Sequence, residues 1–245
     1  MRLFKKAFAC LLVTSLVFSL LGCSSSSQTP SLEKTSGAGF ARSEHHPFSD
    51  DTKKITYYKP MSVSEIESLL PSPIQQRFYV IGKNKLPFPV DKEAAHLIAF
   101  SYADDKTVRH QLQLTYKQDR DNNGDENFFV IRMTETDENP LSQLPDSANG
   151  LDTFGNIARM QPLRDDVSLI HHIIQTNSAY VYSYYDYNEK DRAVHLVTTN
   201  ANEINFYDRG IFYQIAYHVK GNEPNEAVQT QMVALAKELA EHSAT

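Results

Sequence analysis

Gln111-Leu112-Gln113-Leu114-Thr115-Tyr116 alternates polar and apolar side chains without a break. In a β-strand successive side chains point to opposite faces, so this period of two marks a half-buried strand. On either side the same pattern predicts strands at Arg77–Ile81, Leu97–Tyr102, Arg109–Lys117, Phe128–Thr134, Ser168–Ile174, Ala179–Tyr185, Ala193–Thr199, Glu203–Tyr207 and Ile211–Val219. Turn residues separate them: Asp104-Asp105, Asn122-Asn123-Gly124, Asp186 to Asp191, Asn200 and Asp208-Arg209-Gly210. The order is that of successive antiparallel hairpins.

Helical spacing appears only near the ends of this run. Ser62 with Glu65 fits a capping box and predicts a short helix from Ser62 to Leu70, stopped by Pro71 and Pro73. Val228, Met232, Leu235 and Leu239 form one apolar stripe of a helix over Asn225 to Glu241, with Pro224 suited to its first turn. The expected class is α+β, a curved antiparallel sheet packed by a short N-terminal helix and a C-terminal amphipathic helix. Residues 139–165, with Asn139-Pro140 and Asn149-Gly150, read as loop-rich and divide the expected sheet into halves.

The N-terminus has a different composition. Met1-Arg2-Leu3-Phe4-Lys5-Lys6 is a basic head, and Ala7 to Leu21 is almost wholly apolar. That layout is a secretory signal peptide, and the run is short of the roughly 20 residues that span a bilayer. It ends in Leu20-Leu21-Gly22-Cys23, which resembles the lipobox of bacterial lipoprotein precursors. The resemblance implies cleavage between Gly22 and Cys23, a diacylglyceryl group on the Cys23 sulfur, and acylation of the new amino end, as by palmitate. Several acyl chains make such attachment lasting. The expected organisation is a cleaved signal over 1–22, a lipidated Ser- and Pro-rich flexible linker over 23–54, and one extracytoplasmic domain over 55–245.

The chain has 245 residues and a formal charge of −6. Loss of residues 1–22 removes three of the 24 basic residues and no acid, leaving 21 against 30 acids. This excess of acid argues against nucleic acid as a partner. Cys10 leaves with the signal and Cys23 carries lipid, so no internal disulfide is expected.

The distal half has a second likeness. A tyrosine-rich strand leads to a charged turn, then Val194–Thr199, the hairpin at Asp208-Arg209-Gly210, Ile211-Phe212-Tyr213-Gln214-Ile215 and an amphipathic helix. This order resembles an uncharacterised extracytoplasmic domain family of Gram-positive spore formers, found in lipoproteins and in outer domains of anti-sigma factors. It is also similar in layout to lipoprotein-carrier folds. The resemblance implies sensing, binding or scaffolding, and it supplies no catalytic residue.

Few residues offer chemistry. Asp119, Asp121, Asn123 and Asp125 alternate as calcium ligands do, but Val130 stands where an EF-hand needs glutamate, and a hairpin turn explains Asn123-Gly124. His45-His46 and His171-His172 are adjacent pairs whose members point apart on a strand. His110, His195 and His218 would need to meet across a sheet to hold zinc. Tyr180, Tyr182 and Tyr184 share one strand face and suit a ligand-binding surface, or a half-buried sheet. No nucleophile-elbow, zincin or phosphate-loop motif occurs in the sequence.

The expected function is therefore a non-catalytic envelope protein, lipid-anchored at the outer face of the cell membrane. It binds or scaffolds a protein or cell-surface component and needs no cofactor. The alternatives are a carrier or sensor of an apolar ligand held between sheet and helices and, third, a hydrolase. A filled core, a greasy chamber or a polar cleft would separate the three.

Overall fold

A strand with an apolar side needs a neighbour for its main chain and a second layer for that side. The computed structural model describes residues 31–43, 52–103, 105–119, 127–142, 144, 149–152, 155–175, 181–220 and 225–242. Among them twelve strands join one sheet. They are β1 (Lys34–Gly37), β2 (Thr52–Tyr58), β3 (Lys92–Tyr102), β4 (Arg109–Lys117), β5 (Phe128–Glu135), β6 (Gly150–Leu151), β7 (Ile157–Arg164), β8 (Val167–Ile173), β9 (Tyr182–Asn188), β10 (Ala193–Thr199), β11 (Asn202–Asp208) and β12 (Ile211–His218). Their order is β6-β7-β8-β11-β12-β5-β4-β3-β2-β1-β10-β9. Neighbours run antiparallel except β1 and β10, which are parallel. The mixed α+β class holds, with a larger sheet than expected.

The described α-helices are α1 (Val63–Ile66), prolonged by a 3-10 turn at Glu67–Leu69, α2 (Ser72–Gln75) and α3 (Glu226–His242). The capping box forms at α1, where Glu65 N–H donates to Ser62 Oγ and Ser62 N–H donates to Glu65 Oε2 at 3.0 Å. Asn225 Oδ1 accepts from the N–H of Ala227 and Val228 at the start of α3. Helices cover one face of the sheet. Leu112, Leu114, Phe129, Ile131, Tyr213 and Ile215 meet Ile66, Ile74, Met232, Leu235 and Leu239 there in one buried cluster. Each such side chain contributes about 1.5–3 kcal/mol.

Three expectations need correction. Arg77–Ile81 is not a strand. It crosses the helix face as a strap, burying Ile81, while the Tyr79 ring stacks on His242 at 3.8 Å and its hydroxyl bonds Glu238. Residues 139–165 do not divide the sheet, because 150–164 supply β6 and β7. Pro162 hid β7 from a propensity reading. It sits at a register shift on a strand that β6 covers only at Ile157 and Ala158, where a missing N–H costs no ladder bond.

The third correction falls on the expected linker over 23–54. Residues 34–37 are a strand between β2 and β10, and Phe40 and Ala41 are buried. Small residues suggested flexibility, but here they permit close approach. A Cβ at Gly37 would lie 2.4 Å from the Tyr57 ring, so only glycine fits. Phe40 packs 4.7 Å from Phe100. Phe40→Ala is expected to lower unfolding free energy by about 3 kcal/mol in a urea titration. A flexible linker would instead leave the midpoint unchanged.

Candidate functional site

The face opposite the helices is unusual in being polar and buried. Cross-strand register lines up His96, Gln113, Arg132, Gln214 and Asn205 over β3, β4, β5, β12 and β11. Each of the five is at most 1 % exposed. Buried polar groups need partners, and an unpaired one costs about 1–3 kcal/mol.

The partners come from the far end of the sheet. β1 holds β10, and β10 holds β9, so the sheet curls back over its own polar face. The outer edge of β9 then meets side chains instead of another strand. Tyr185 N–H donates to Gln113 Oε1 at 2.8 Å, and Gln113 Nε2 donates to Tyr185 C=O at 2.8 Å. The carboxamide thus stands in for a peptide group of a neighbouring strand. Arg132 Nη2 donates to the Ser183 carbonyl one step along the same edge. The Tyr185 hydroxyl donates to Gln111 Oε1 at 2.7 Å and accepts from Ala41 N–H at 2.9 Å.

Arg132 also carries charge into the roll. Its Nη1 donates to Gln214 Oε1 at 3.3 Å, and Gln214 Nε2 donates to Glu203 Oε1 at 2.8 Å. One amide therefore links a buried guanidinium to a buried carboxylate. The guanidinium also lies 4.9 Å from the Tyr182 ring centre and 5.9 Å from that of Tyr185. Four groups of this layer find no hydrogen-bond partner among the described residues: both His96 nitrogens, Arg132 Nε, Tyr182 OH and the Asn205 amide. Burial holds His96 at about 4, well below its ordinary 6.5.

Tyr182 and Tyr184 are buried, Tyr182 against Arg132 and Tyr184 against Phe128 with Lys117 Nζ 4.7 Å from its ring. They are layer contacts and present no open aromatic surface. Tyr185, on the other side of the strand, is equally buried because β9 enters the roll edge-on. Tyr180 lies outside the described residues, as do Gly22, Cys23, His45, His46, Asp121, Asn123 and Asp125. Asp119 is described and pairs with Lys92 at 2.5 Å. The adjacent histidines do point apart: His171 Nε2 meets Tyr217 OH at 2.8 Å on the helix face, and His172 Nδ1 meets Asp152 at 3.0 Å on the other. His110 lies by Glu135, His195 by Asp191 and His218 on Phe128. Among the described residues no group of three His, Cys, Asp or Glu is placed to hold a metal.

A concavity does open on the helix face. Arg159 and Gln161 of β7, His171 of β8, and Glu226, Thr230, Val233, Ala234 and Lys237 of α3 line a groove of about 490 Å³. The C-terminal half of α3 is pinned on both sides. Tyr79 and Lys85 bond Glu238, and Arg164 donates to the Ala240 carbonyl at 3.0 Å while pairing with Asp208. The N-terminal half is held to the sheet by Arg159 Nη1 donating to Gln229 Oε1 at 3.3 Å. The groove lies along this half and reaches as far as Lys237. Burial, with help from the Arg159 charge, lowers His171 to about 3, so its ring is neutral at pH 7.

Sequence reasoning singled out none of the groove cations. Arg159 fell in the supposed loop, and Lys237 looks like any exposed helix lysine. Arg132 was not singled out either, although it is the one charge inside Phe128-Phe129-Val130-Ile131-Arg132-Met133. Comparison with family models, with curated proteins and with solved structures finds no match for the chain.

The buried imidazole gives a pH prediction. In the unfolded chain His96 titrates near 6.5, so that state takes up its proton first as pH falls. The contribution of the neutral ring is whole above about 6.5 and is lost between there and about 4. The loss amounts to about 3 kcal/mol. His96→Phe is expected to remove that part of the acid destabilisation, read as the difference in urea unfolding free energy between pH 7 and pH 4. Equal losses in the two proteins would refute this role for His96.

Proposed function

We propose that the protein is a non-catalytic, lipid-anchored binding protein of the bacterial envelope, held by lipid on Cys23 at the outer face of the cell membrane. Its task is to engage a protein or cell-surface component. The basic head, apolar run and Leu20-Leu21-Gly22-Cys23 support the anchor. Among the described residues no helix is long and apolar enough to cross a membrane. The likeness of the distal half to extracytoplasmic domains supports the location.

One observation carries the binding role. Among the described residues both faces of the sheet are covered, one by helices and the other by its own rolled edge, while the groove along α3 opens to solvent with a mixed polar lining. An apolar carrier would keep a greasy chamber between sheet and helices, and Met232, Leu235, Leu112, Leu114 and Phe129 occupy that space. Recognition then falls to the surface of the domain. Ten residues separate Cys23 from the first described strand at Lys34. Fully extended they reach about 35 Å, so the anchor keeps the sheet close to the membrane.

Two measurements test this. The full chain expressed in a bacterial host is expected to incorporate labelled palmitate and to stay with membranes after a high-salt wash, and Cys23→Ala should lose the label and be either released or left as an uncut precursor. Retention of the label in that variant would contradict the anchor. A photo-crosslinking residue at Thr230, in the groove, should form a defined adduct in intact cells. One at Val108, which is 57 % exposed and outside the groove, should not. Identical adduct patterns from the two positions would contradict a binding role for the groove.

A further inference from the structure

The groove along α3 carries a charge opposite to that of the chain. Arg159 and Lys237 bring two cations and Glu226 one carboxylate, a local excess of one positive charge in a chain of net −6. Among the described residues neither Arg159 nor Lys237 has a salt-bridge partner, although acids outnumber bases. Ion pairs are made elsewhere, as by Arg109 with Asp105 and by Arg164 with Asp208. Arg159 uses one nitrogen on Gln229 Oε1, and the rest of its fork remains for an acceptor.

The floor of the groove supplies a neutral donor. His171 stands directly across the β7–β8 pair from Arg159. Its ring is 2 % exposed, lines the groove and has Nε2 at 2.8 Å from Tyr217 OH. When the Tyr217 hydroxyl donates to Nε2, the ring proton sits on Nδ1, which has no protein partner among the described residues. Burial raises Tyr217 above its ordinary value, so it keeps the proton needed for that donation. Val233 and Ala234 add an apolar wall beside these donors. The volume of about 490 Å³ exceeds what a bare inorganic ion would fill and falls in the range of small-molecule sites.

We propose that the part of the protein or cell-surface component seated in this groove is an organic oxyanion group, a carboxylate or phosphate on a short aliphatic segment. Arg159 and Lys237 grip the charged group, His171 Nδ1–H donates to it, and the aliphatic part lies on Val233 and Ala234. The proposal rests on the binding reading above and names the chemistry of its ligand. A bidentate guanidinium suits either head group, and charge attraction brings the ligand in against the acidic remainder of the surface.

The test uses the full chain in non-ionic detergent, with calorimetry and the imidazole ¹H–¹⁵N spectrum of His171. Butyrate, butyl phosphate and neutral butanol are the probes. At least one of the two anions is expected to bind saturably and to shift the His171 signals, with butanol inert. The anion that binds more tightly identifies the head group. Arg159→Gln and Lys237→Gln should each weaken binding at least tenfold with the fold intact by circular dichroism. Asp105→Asn, outside the groove, should leave it unchanged. No saturable shift with either anion, or equal binding by Arg159→Gln, would overturn the proposal. A persisting Thr230-specific adduct in cells would then show that the binding surface stands and that only its ligand chemistry was misjudged.

Discussion

The paired hydrogen bonds between the Gln113 carboxamide and the main chain of Tyr185 are the contact on which the roll depends. A twisted sheet of this many strands has two edges, and an edge is a row of unpaired N–H and C=O groups. At one end the edge is blunted by Pro162 and by the two-residue strand β6. At the other end β9 turns inward, and Gln113 and Arg132 supply its missing neighbour from the face of β4 and β5. Polarity on that face is therefore a requirement of the topology. An apolar row there would leave the Tyr185 peptide groups buried without partners, at a cost of about 1–3 kcal/mol for each.

The same constraint explains the rest of the layer. An arginine brought inside to meet Ser183 C=O needs its charge balanced, and Gln214 connects it to Glu203 two strands away. Tyrosines line the rolled strand because each offers a ring to fill space and a hydroxyl that can reach a polar floor. Tyr185 uses both functions, whereas Tyr182 uses its ring on Arg132 and leaves its hydroxyl without a partner among the described residues. With both faces of the sheet committed to packing, the open groove along α3 becomes the natural place for recognition. Its floor is set by β7 and β8 and its wall by a helix pinned at its C-terminal half.

Much of the sheet was legible in the sequence. Arg109–Lys117 and Ala193–Thr199 form strands over the residues that the alternation indicates, and the Ser62–Glu65 capping box forms. Alternation reports which positions are polar, however, and not whether they are covered. Gln111 and Gln113 look like a wetted face until β9 is placed over them, and that placement depends on β1, whose short polar sequence carries no strand signal. Arg77–Ile81 misled in the opposite sense, since a run of bulky residues also suits a strap across a helical layer. Arg159 and His171 meet through the register of β7 with β8, which Pro162 concealed.

Amide hydrogen exchange at Tyr185 reads the bond to Gln113 Oε1 itself. The rolled sheet predicts that Tyr185 N–H exchanges as slowly as the amides of β4 and β5, and that Gln113→Ala speeds it selectively while those strands stay protected. Rapid exchange of Tyr185 in the unmodified protein, at the rate of a free edge strand, would contradict it.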